Sequence, residues 1–389
     1  MTIIWATILI LGVLITIHEF GHFIAARSVG IRVERFSIGI PPRFVSLTSV
    51  DDGWLIHIFF YKKSDGRLKW QPVFEKMISK PGRIGSSTEF VFALIPLGGY
   101  VKMAGIIDES MDTEINYEDD EFMSKPLWAK LWVMSAGVIM NTILAFAIFT
   151  AVGYNQGMPE VSDKPIVAEL QADMPAQAAG IQPGDQIISI DGNPIKTWKD
   201  LTTTIHAQPN TDISLTVLRE NVQIKMEITT SFMPVPRETG IDTLGAIGII
   251  PEVLYREMTL GEAFNIGWLR TVGSFGMIIM SLKMLGSGAA SMSDFGGPIM
   301  IAQLAGQTAE AGWIPFLTFM ALISANLAFI NILPIPGLDG GHIMIHLIEG
   351  ILRRPLSMKA RIMIQQIGMI FLLMLMVTVV FNDISRLFN

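Results

Sequence analysis

Five consecutive residues near the start of the chain could bind a metal ion and use it for hydrolysis. They are His18-Glu19-Phe20-Gly21-His22, and they lie within a long apolar stretch. Two histidines four positions apart lie on the same side of a helix, so both imidazoles can bind one zinc ion. The adjacent glutamate can act as a general base for water. Because ionisable groups are costly inside a membrane span, this motif predicts a catalytic zinc site.

A catalytic zinc ion usually has three protein ligands and keeps a fourth position for water. Asp339 is the predicted third ligand, because it follows a later apolar span and lies at the same predicted depth as His18 and His22. The segment around it reads Asn331-Ile-Leu-Pro-Ile-Pro-Gly-Leu-Asp-Gly-Gly-His342. Its two prolines should break the helix before Asp339, and the freed backbone groups must then line a protected cavity.

A rival metal set lies entirely in the C-terminal part of the chain. Asp339, His342 and His346 again include two histidines four positions apart and could bind an ion themselves. This set would leave His18 and His22 unexplained inside the membrane. A further alternative is that Asp339 only caps a helix after a turn.

The composition is that of a membrane protein. Of 389 residues, 50% are hydrophobic and 16% are charged, with a formal net charge of −7, whereas soluble globular chains carry about 25% charged residues. The chain has neither a basic excess nor a low-complexity tract, which argues against nucleic-acid binding and disorder. It has no cysteine, which excludes disulfides, thiol nucleophiles and cysteine-based zinc sites.

Four stretches are long and apolar enough to cross a bilayer, which takes about 20 residues as a helix. They are predicted at Thr2–Ala26, Leu127–Tyr154, Trp313–Ile335 and Arg361–Phe381. The apolar run Thr271–Leu282 is too short and predicts an interfacial or packed helix.

The charges of the loops predict the orientation. Between the first two spans (27–130) there are 14 basic and 14 acidic residues, and between the next two (155–314) there are 9 and 17. Basic loops face the cytoplasm. We therefore expect both termini and the 155–314 region to lie outside.

Together these motifs resemble the site-2 protease family of intramembrane zinc metalloproteases, in particular its bacterial sigma-E-regulating branch. Further segments agree nearly from end to end: Ile95-Pro-Leu-Gly-Gly-Tyr-Val-Lys-Met103, Lys125-Pro-Leu-Trp128, Ser135-Ala-Gly-Val-Ile-Met-Asn141 and Arg354-Pro-Leu-Ser357. The resemblance implies that His18, His22 and Asp339 bind Zn²⁺ and that Glu19 is the catalytic base.

The same resemblance implies residues that bind substrate. Asn326 and Asn331 correspond to asparagines that contact the substrate backbone. Gly98, Gly99 and Tyr100 correspond to a membrane-dipping β-hairpin that pairs with an extended substrate strand. An ordinary glycine turn is the alternative for this hairpin.

One segment departs from the family pattern. Residues from about 48 to 87 intervene between the strand Phe36–Gly39 and the hairpin motif, where the family usually has a short connection. An insertion of this length usually has a structure or function of its own.

A different pattern follows the second span. Pro165–Glu227 contains short alternating strands around Ala178-Ala-Gly-Ile-Gln-Pro-Gly-Asp185, with a helix from Trp198. This pattern resembles the PDZ domain of bacterial proteases, and one such domain is predicted.

The segment Leu244-Gly-Ala-Ile-Gly-Ile249 resembles the peptide-binding loop of a permuted PDZ fold. Backbone N–H groups of Gly245, Ile247 and Gly248 could bind a carboxylate or an edge strand. A β-domain that serves only as a steric filter is the alternative.

The predicted fold class is an α-helical polytopic membrane protein with four transmembrane helices, a membrane-dipping β-hairpin and an inserted extracytoplasmic α+β PDZ domain. The predicted order is transmembrane helix 1 at 1–27, a cytoplasmic or membrane-associated loop at 28–126, helix 2 at 127–154, the PDZ domain at 155–251, interfacial helices at 252–312, helix 3 at 313–340, a cytoplasmic loop at 341–360 and helix 4 at 361–382.

The resemblance implies a monomeric protease of the bacterial cytoplasmic membrane. Its substrates would be single-span membrane proteins, such as anti-sigma factors and remnant signal peptides. The alternative is a PDZ-bearing scaffold with a structural metal site, although such sites usually have four protein ligands. A zinc transporter would need polar groups along a path across the bilayer, whereas here they concentrate at one depth.

Overall fold

The computed structural model describes residues 2–64, 67–82, 84–86, 88–106, 116–237, 240–291 and 296–388. Its helices are α1 (Thr2–Ser28), α2 (Leu127–Gln156), α3 (Pro175–Ala178), α4 (Trp198–His206), α5 (Leu260–Gly286), α6 (Pro298–Ala311), α7 (Trp313–Ile332), α8 (Asp339–Leu352) and α9 (Met358–Phe388).

The strands are β1 (Val33–Val50), β2 (Gly53–Ser64), β3 (Arg67–Ser79), β4 (Glu89–Met103), β5 (Met158–Val161), β6 (Val167–Leu170), β7 (Gln186–Ile190), β8 (Asn193–Pro194), β9 (Asp212–Arg219), β10 (Val222–Thr229), β11 (Ser231–Arg237), β12 (Gly240–Ala246), β13 (Ile249–Pro251) and β14 (Val253–Arg256).

Four of the described helices are long and apolar enough to cross a membrane, namely α1, α2, α7 and α9. Helices that are hydrophobic all round are stable where lipid or other apolar helices surround them. Together with the inserted β-rich unit, they confirm the predicted fold class of a polytopic helical membrane protein.

The third apolar helix ends earlier than its predicted bound. α7 stops at Ile332, because Pro334 cannot donate to the helix and clashes with the preceding turn. A new helix, α8, begins at Asp339. The segment predicted as a loop at 341–360 is therefore largely helical. Ile345 and His346 lie on the buried face of α8.

α5 packs along two of the apolar helices. The ring of Phe275 is tilted against that of Phe329 of α7, with ring centroids 6.0 Å apart. It also borders a buried cluster formed by α2 and α7. A helix predicted to be interfacial or packed is thus in contact with the apolar bundle.

The insertion after β1 forms a β-hairpin. β2 and β3 are antiparallel, with Trp54 opposite Ile78 and Tyr61 opposite Trp70. They extend a sheet of order β3-β2-β1-β4. Four positions of the predicted insertion (65, 66, 83 and 87) lie outside the described residues.

β4 wraps around β1, which gives the sheet an edge next to α1. Ser37 of β1 is paired with both Val91 and Tyr100 of β4. The segment 99–103 therefore forms an outer edge of the sheet. Pro96 and Gly98, just before this edge, pack against Gly12 and Ile15 of α1.

Residues Gly153–Leu260 form a second compact unit. Its main sheet has the order β10-β9-β7-β8. α4 begins with a capping box in which Thr197 and Asp200 satisfy each other's backbone N–H groups. The interior of the unit is an aliphatic cluster built around Ile187, Leu201 and Leu215.

An ion pair joins the glycine-rich segment of this unit to β9. Asp185 is 1% exposed and accepts two hydrogen bonds of 2.7 Å from the Arg219 guanidinium. The Gln182 N–H adds a third hydrogen bond of 2.9 Å. Burial would raise the pKa of Asp185, but the hydrogen bonds from Arg219 and Gln182 outweigh it and lower the pKa.

Because this pKa is lower in the folded unit than the unfolded value of about 3.9, the ionised carboxylate stabilises the unit above that pH. The contribution is lost as the pH falls through the folded pKa. We expect Asp185→Asn to lower the melting temperature of the unit at pH 7 by about 5 °C and to flatten its decline on acidification. Hydrogen exchange of the β9 amides in the wild type and variant, followed over a temperature series at each pH, measures both effects, and identical pH profiles would contradict the assignment.

Candidate metal centre

Three predicted ligand side chains meet between α1 and the start of α8. Asp339 Oδ2 lies 3.1 Å from His18 Nε2 and 3.4 Å from His22 Nε2. The two imidazole Nε2 atoms are 3.2 Å apart. Among the described residues, these three form the one group of His, Asp and Glu side chains with the arrangement of a metal site.

The orientation of His22 is fixed by a backbone carbonyl of α2. His22 Nδ1 lies 2.8 Å from Val133 O. Because a carbonyl oxygen can only accept, Nδ1 carries the hydrogen and Nε2 keeps its lone pair for a metal. Metal-binding histidines commonly make this second contact.

His18 has a corresponding neighbour on α2, Asn141, which follows Val133 by eight residues. The Asn141 amide nitrogen lies 3.4 Å from His18 Nδ1, and Asn141 is 0% exposed. In this orientation its Oδ1 is buried, and no described residue forms a hydrogen bond with it. Rotating the Asn141 amide by half a turn exchanges its oxygen and its nitrogen. Oδ1 then accepts a hydrogen bond from the His18 Nδ1–H, and His18 Nε2 keeps its lone pair for a metal.

Gly137 leaves the space in which the two rings meet. A Cβ at this position would lie 2.6 Å from the Nε2 atoms of both His18 and His22. Val133, Gly137 and Asn141 are spaced by four residues and so share one face of α2. This face supplies the hydrogen-bond partners and the empty volume of the site.

The three side chains fit a zinc ion. Two imidazoles with free Nε2 atoms and one carboxylate are a ligand set of catalytic zinc. Among the described residues, no hydrogen-bond donor reaches the buried Asp339 Oδ2. A cation is therefore the partner that fits this oxygen.

Glu19 is held by the edge of the sheet. Val101 of β4 donates its backbone N–H to Glu19 Oε2 at 3.1 Å. The predicted hairpin residues adjoin this contact, because Gly98 O accepts a 3.5 Å hydrogen bond from Thr16 Oγ1 of α1. Tyr100 accepts from Arg35 Nη1 at 3.4 Å through its hydroxyl oxygen. Gly99 packs over Ser37 O.

The predicted asparagines lie on α7. Asn326 is half-buried, and its Oδ1 has no hydrogen-bond partner among the residues that the structure describes. Asn331 is half-buried in the last turn of the helix.

The predicted peptide-binding loop lies inside the second unit. Ile247 is 2% exposed and its carbonyl accepts the Ala176 N–H at 2.8 Å. Gly248 O accepts the Gln171 N–H. Gly245 packs against the end of α4, so these residues are part of the packed fold in this conformation.

The rival metal set is not assembled. His342 Nε2 lies 3.2 Å from Gln365 Nε2 of α9. His346 Nδ1 lies 3.2 Å from Glu349 Oε2. Neither ring belongs to the group formed around Asp339.

Sequence reasoning missed Val133, and it noted Gly137, Asn141 and Val101 only as parts of matching motifs, without a role. Two of them act through the main chain, which leaves no signature in the residue type. An amide in an apolar span, four residues after a glycine, was the available signal for Asn141.

The space at Gly137 leads to a first test of the site. We expect Gly137→Ala to reduce zinc affinity roughly tenfold or more, because its methyl group would collide with both rings. Gly276→Ala on α5 is the control, because a Cβ there has nothing within 4 Å. Zinc bound at equilibrium with metal buffers measures the effect. Equal affinity of the two variants would contradict this geometry.

The Asn141 contact leads to a second test. We expect Asn141→Leu to weaken zinc binding roughly 10- to 100-fold, since His18 loses its hydrogen-bond partner. Asn141→Asp keeps an oxygen acceptor and should bind zinc nearly as the wild type does. If the Asp variant binds as weakly as the Leu variant, the amide nitrogen rather than the oxygen faces His18.

Comparisons with known proteins identify the family. The family model described as Peptidase family M50 matches residues 6–71 and 55–375. Zinc metalloprotease RasP of Bacillus licheniformis is 29% identical over 430 residues, covering 100% of each chain. The regulator of sigma-E protease RseP of Salmonella typhimurium is 28% identical over 492 residues, again covering 100% of each.

A solved structure is similar to part of this chain. It is the PDZ domain of an SdrC-like protein of Listeria innocua, 23% identical, covering 25% of this chain and 100% of that one, with a TM-score of 0.19. The match to the family model extends over most of the chain. The chain therefore belongs to peptidase family M50, the site-2 protease family, and is a zinc metalloprotease of the type that acts in regulated intramembrane proteolysis.

Proposed function

We propose that this protein hydrolyses peptide bonds within the transmembrane segments of single-span membrane proteins. The observation that carries the proposal is the meeting of His18, His22 and Asp339, two of them on an apolar helix able to span a membrane. Anti-sigma factors and remnant signal peptides are the proposed substrates. One full-length relative is named a regulator of sigma-E protease.

The proposed chemistry needs a metal and a base. His18, His22 and Asp339 would hold the zinc ion, which, when bound, activates water and polarises the scissile carbonyl. Glu19 would accept a proton from the attacking water on its carboxylate. It would then deliver this proton to the leaving amine nitrogen. The same carboxyl group would thus act first as a general base and then as a general acid.

Substrate would bind as an extended strand. Peptide bonds in a helix are hydrogen-bonded within it, so a transmembrane segment must unwind before attack. The outer edge of β4 adjoins Glu19 through Val101, the preceding Gly98 contacts α1, and this edge could pair with such a strand. Asn326 and Asn331 of α7 would contact the substrate backbone.

The remaining regions would control which proteins reach the site. We place the chain in the bacterial cytoplasmic membrane, with both termini and the Gly153–Leu260 unit outside. This unit would act as a PDZ domain that excludes uncut substrates or binds their new ends. An earlier cut on the outer side would then make a substrate acceptable.

Cleavage in cells tests the function. A tagged single-span reporter, already truncated on its outer side, is co-expressed with the wild type or with Glu19→Gln. We expect the wild type to shorten the reporter and Glu19→Gln to lower the rate by at least about 100-fold, because the general base is lost. Cleavage by both proteins would mean that another residue is the base.

Ligand variants separate loss of metal from loss of chemistry. We expect His22→Ala and Asp339→Ala to lose both cleavage and zinc, whereas Glu19→Gln keeps zinc. Zinc retained at wild-type affinity by both Ala variants would refute the ligand assignment. If wild type with bound zinc cleaves none of a panel of reporters, the proposal fails in favour of a scaffold with a structural metal site.

A further inference from the structure

The outer edge of β4 is already occupied by side chains of α1. Val101 donates its N–H to Glu19 Oε2 at 3.1 Å, and Gly98 O accepts from Thr16 Oγ1 at 3.5 Å. An exposed strand edge offers such donors and acceptors to any chain that pairs with it. Here one donor and one acceptor are taken by the helix that also carries the metal-site histidines.

The helix and the strand are packed too closely to admit a third element. A Cβ at Gly12 of α1 would lie 2.8 Å from Pro96 O. A Cβ at Gly98 would lie 3.1 Å from the Ile15 side chain. Paired strands are about 4.8 Å apart. A strand that adds to this edge must therefore displace the α1 side chains from it.

The Val101 N–H is available for this exchange because it is hydrogen-bonded to a side chain, Glu19, and not to a strand of the sheet. Alternate residues of an edge strand direct their N–H groups toward and away from the neighbouring strand. Val101 is opposite Phe36 of β1, yet its N–H goes to Glu19. The donor that holds the proposed base is thus also a donor that an added strand would use.

We propose that the main-chain N–H of Val101 holds the Glu19 carboxylate until a substrate strand pairs with β4. The added strand takes this hydrogen bond, and the released carboxylate is then free to accept a proton from water. Val101 is a positioning residue that acts through Glu19. The inference rests on the proposed function, because it assigns the arriving strand to the substrate.

This coupling ties the base to the presence of an unwound peptide. A helical transmembrane segment cannot take the Val101 N–H, because its own carbonyl groups are used within the helix. Only an extended segment would release Glu19. Selectivity for unwound substrate would then arise at the base itself as well as at the binding edge.

Binding of an uncleaved peptide tests the exchange. The probe is the transmembrane segment of the truncated reporter, made as a fluorescent peptide, and the full-length protein is in nanodiscs with zinc. Glu19→Ala and Glu19→Gln both remove the charge and the base, but only Gln keeps an oxygen that can accept the Val101 N–H. We expect the Ala variant to bind the peptide about fivefold more tightly than the Gln variant, because it gives up no hydrogen bond.

A second pair of variants removes the donor. Val101→Pro lacks the N–H, and proline is tolerated on an edge strand where the N–H faces away from the sheet. In this background the Ala and Gln variants of Glu19 should bind the peptide equally. Val101→Ala is the matched control and should preserve the fivefold difference.

The outcomes separate the two proposals. Equal affinities of Glu19→Ala and Glu19→Gln in the otherwise native chain overturn the exchange, and so does a difference that persists with Val101→Pro at normal zinc content. If Val101→Pro does not fold, the first comparison still decides. Failure of the wild type to cleave the reporter would refute the proposed protease function, whereas the exchange is judged from binding alone.

Discussion

The site depends on one constraint: imidazoles placed in an apolar helix need a hydrogen-bond partner for the nitrogen that does not face the metal. Water cannot supply it at that depth, so another helix must. α2 does so with Val133 O, which lies 2.8 Å from His22, and with Asn141 beside His18. The two helices can approach this closely because Gly137 leaves room for the two rings and because Gly21 of α1 lies against the backbone of Ala136.

The contact between α1 and α2 sets the place that the other elements of the site must reach. The carboxylate must come from a chain segment that reaches the same place, and the break after α7 lets α8 begin with Asp339 there. Ser324 of α7 donates to Asn141 O at 2.8 Å, which ties α7 to α2 next to the second histidine partner. The sheet then approaches from another side and contacts Glu19 through Val101.

Residue types reveal the parts of this arrangement that are local. The spacing of His18 and His22 predicted that they bind one metal ion, and the position of Asp339 after an apolar span predicted the third ligand. Both predictions rest on the cost of ionisable groups inside a membrane, which makes a functional role the first hypothesis. Val133 O and Val101 N–H could not be found, since backbone groups are the same in every residue. The helix α8 was also missed, because it follows two prolines and a glycine that resemble a loop. The β2–β3 hairpin was predicted only as an insertion, although Ser64 lies opposite Arg67 in a local pairing, because the preference of residues for strands depends strongly on their packing.

The second unit joins the rest of the chain through two strands that pair with each other. β5 and β14 are antiparallel, with Met158 opposite Arg256, and Arg256 Nε donates to Glu160 Oε1 at 2.7 Å. The two ends of the unit are therefore held side by side by its own hydrogen bonds. An inserted domain whose two ends lie side by side can be lengthened, duplicated or exchanged during evolution, because the flanking chain still connects to ends with the same spacing.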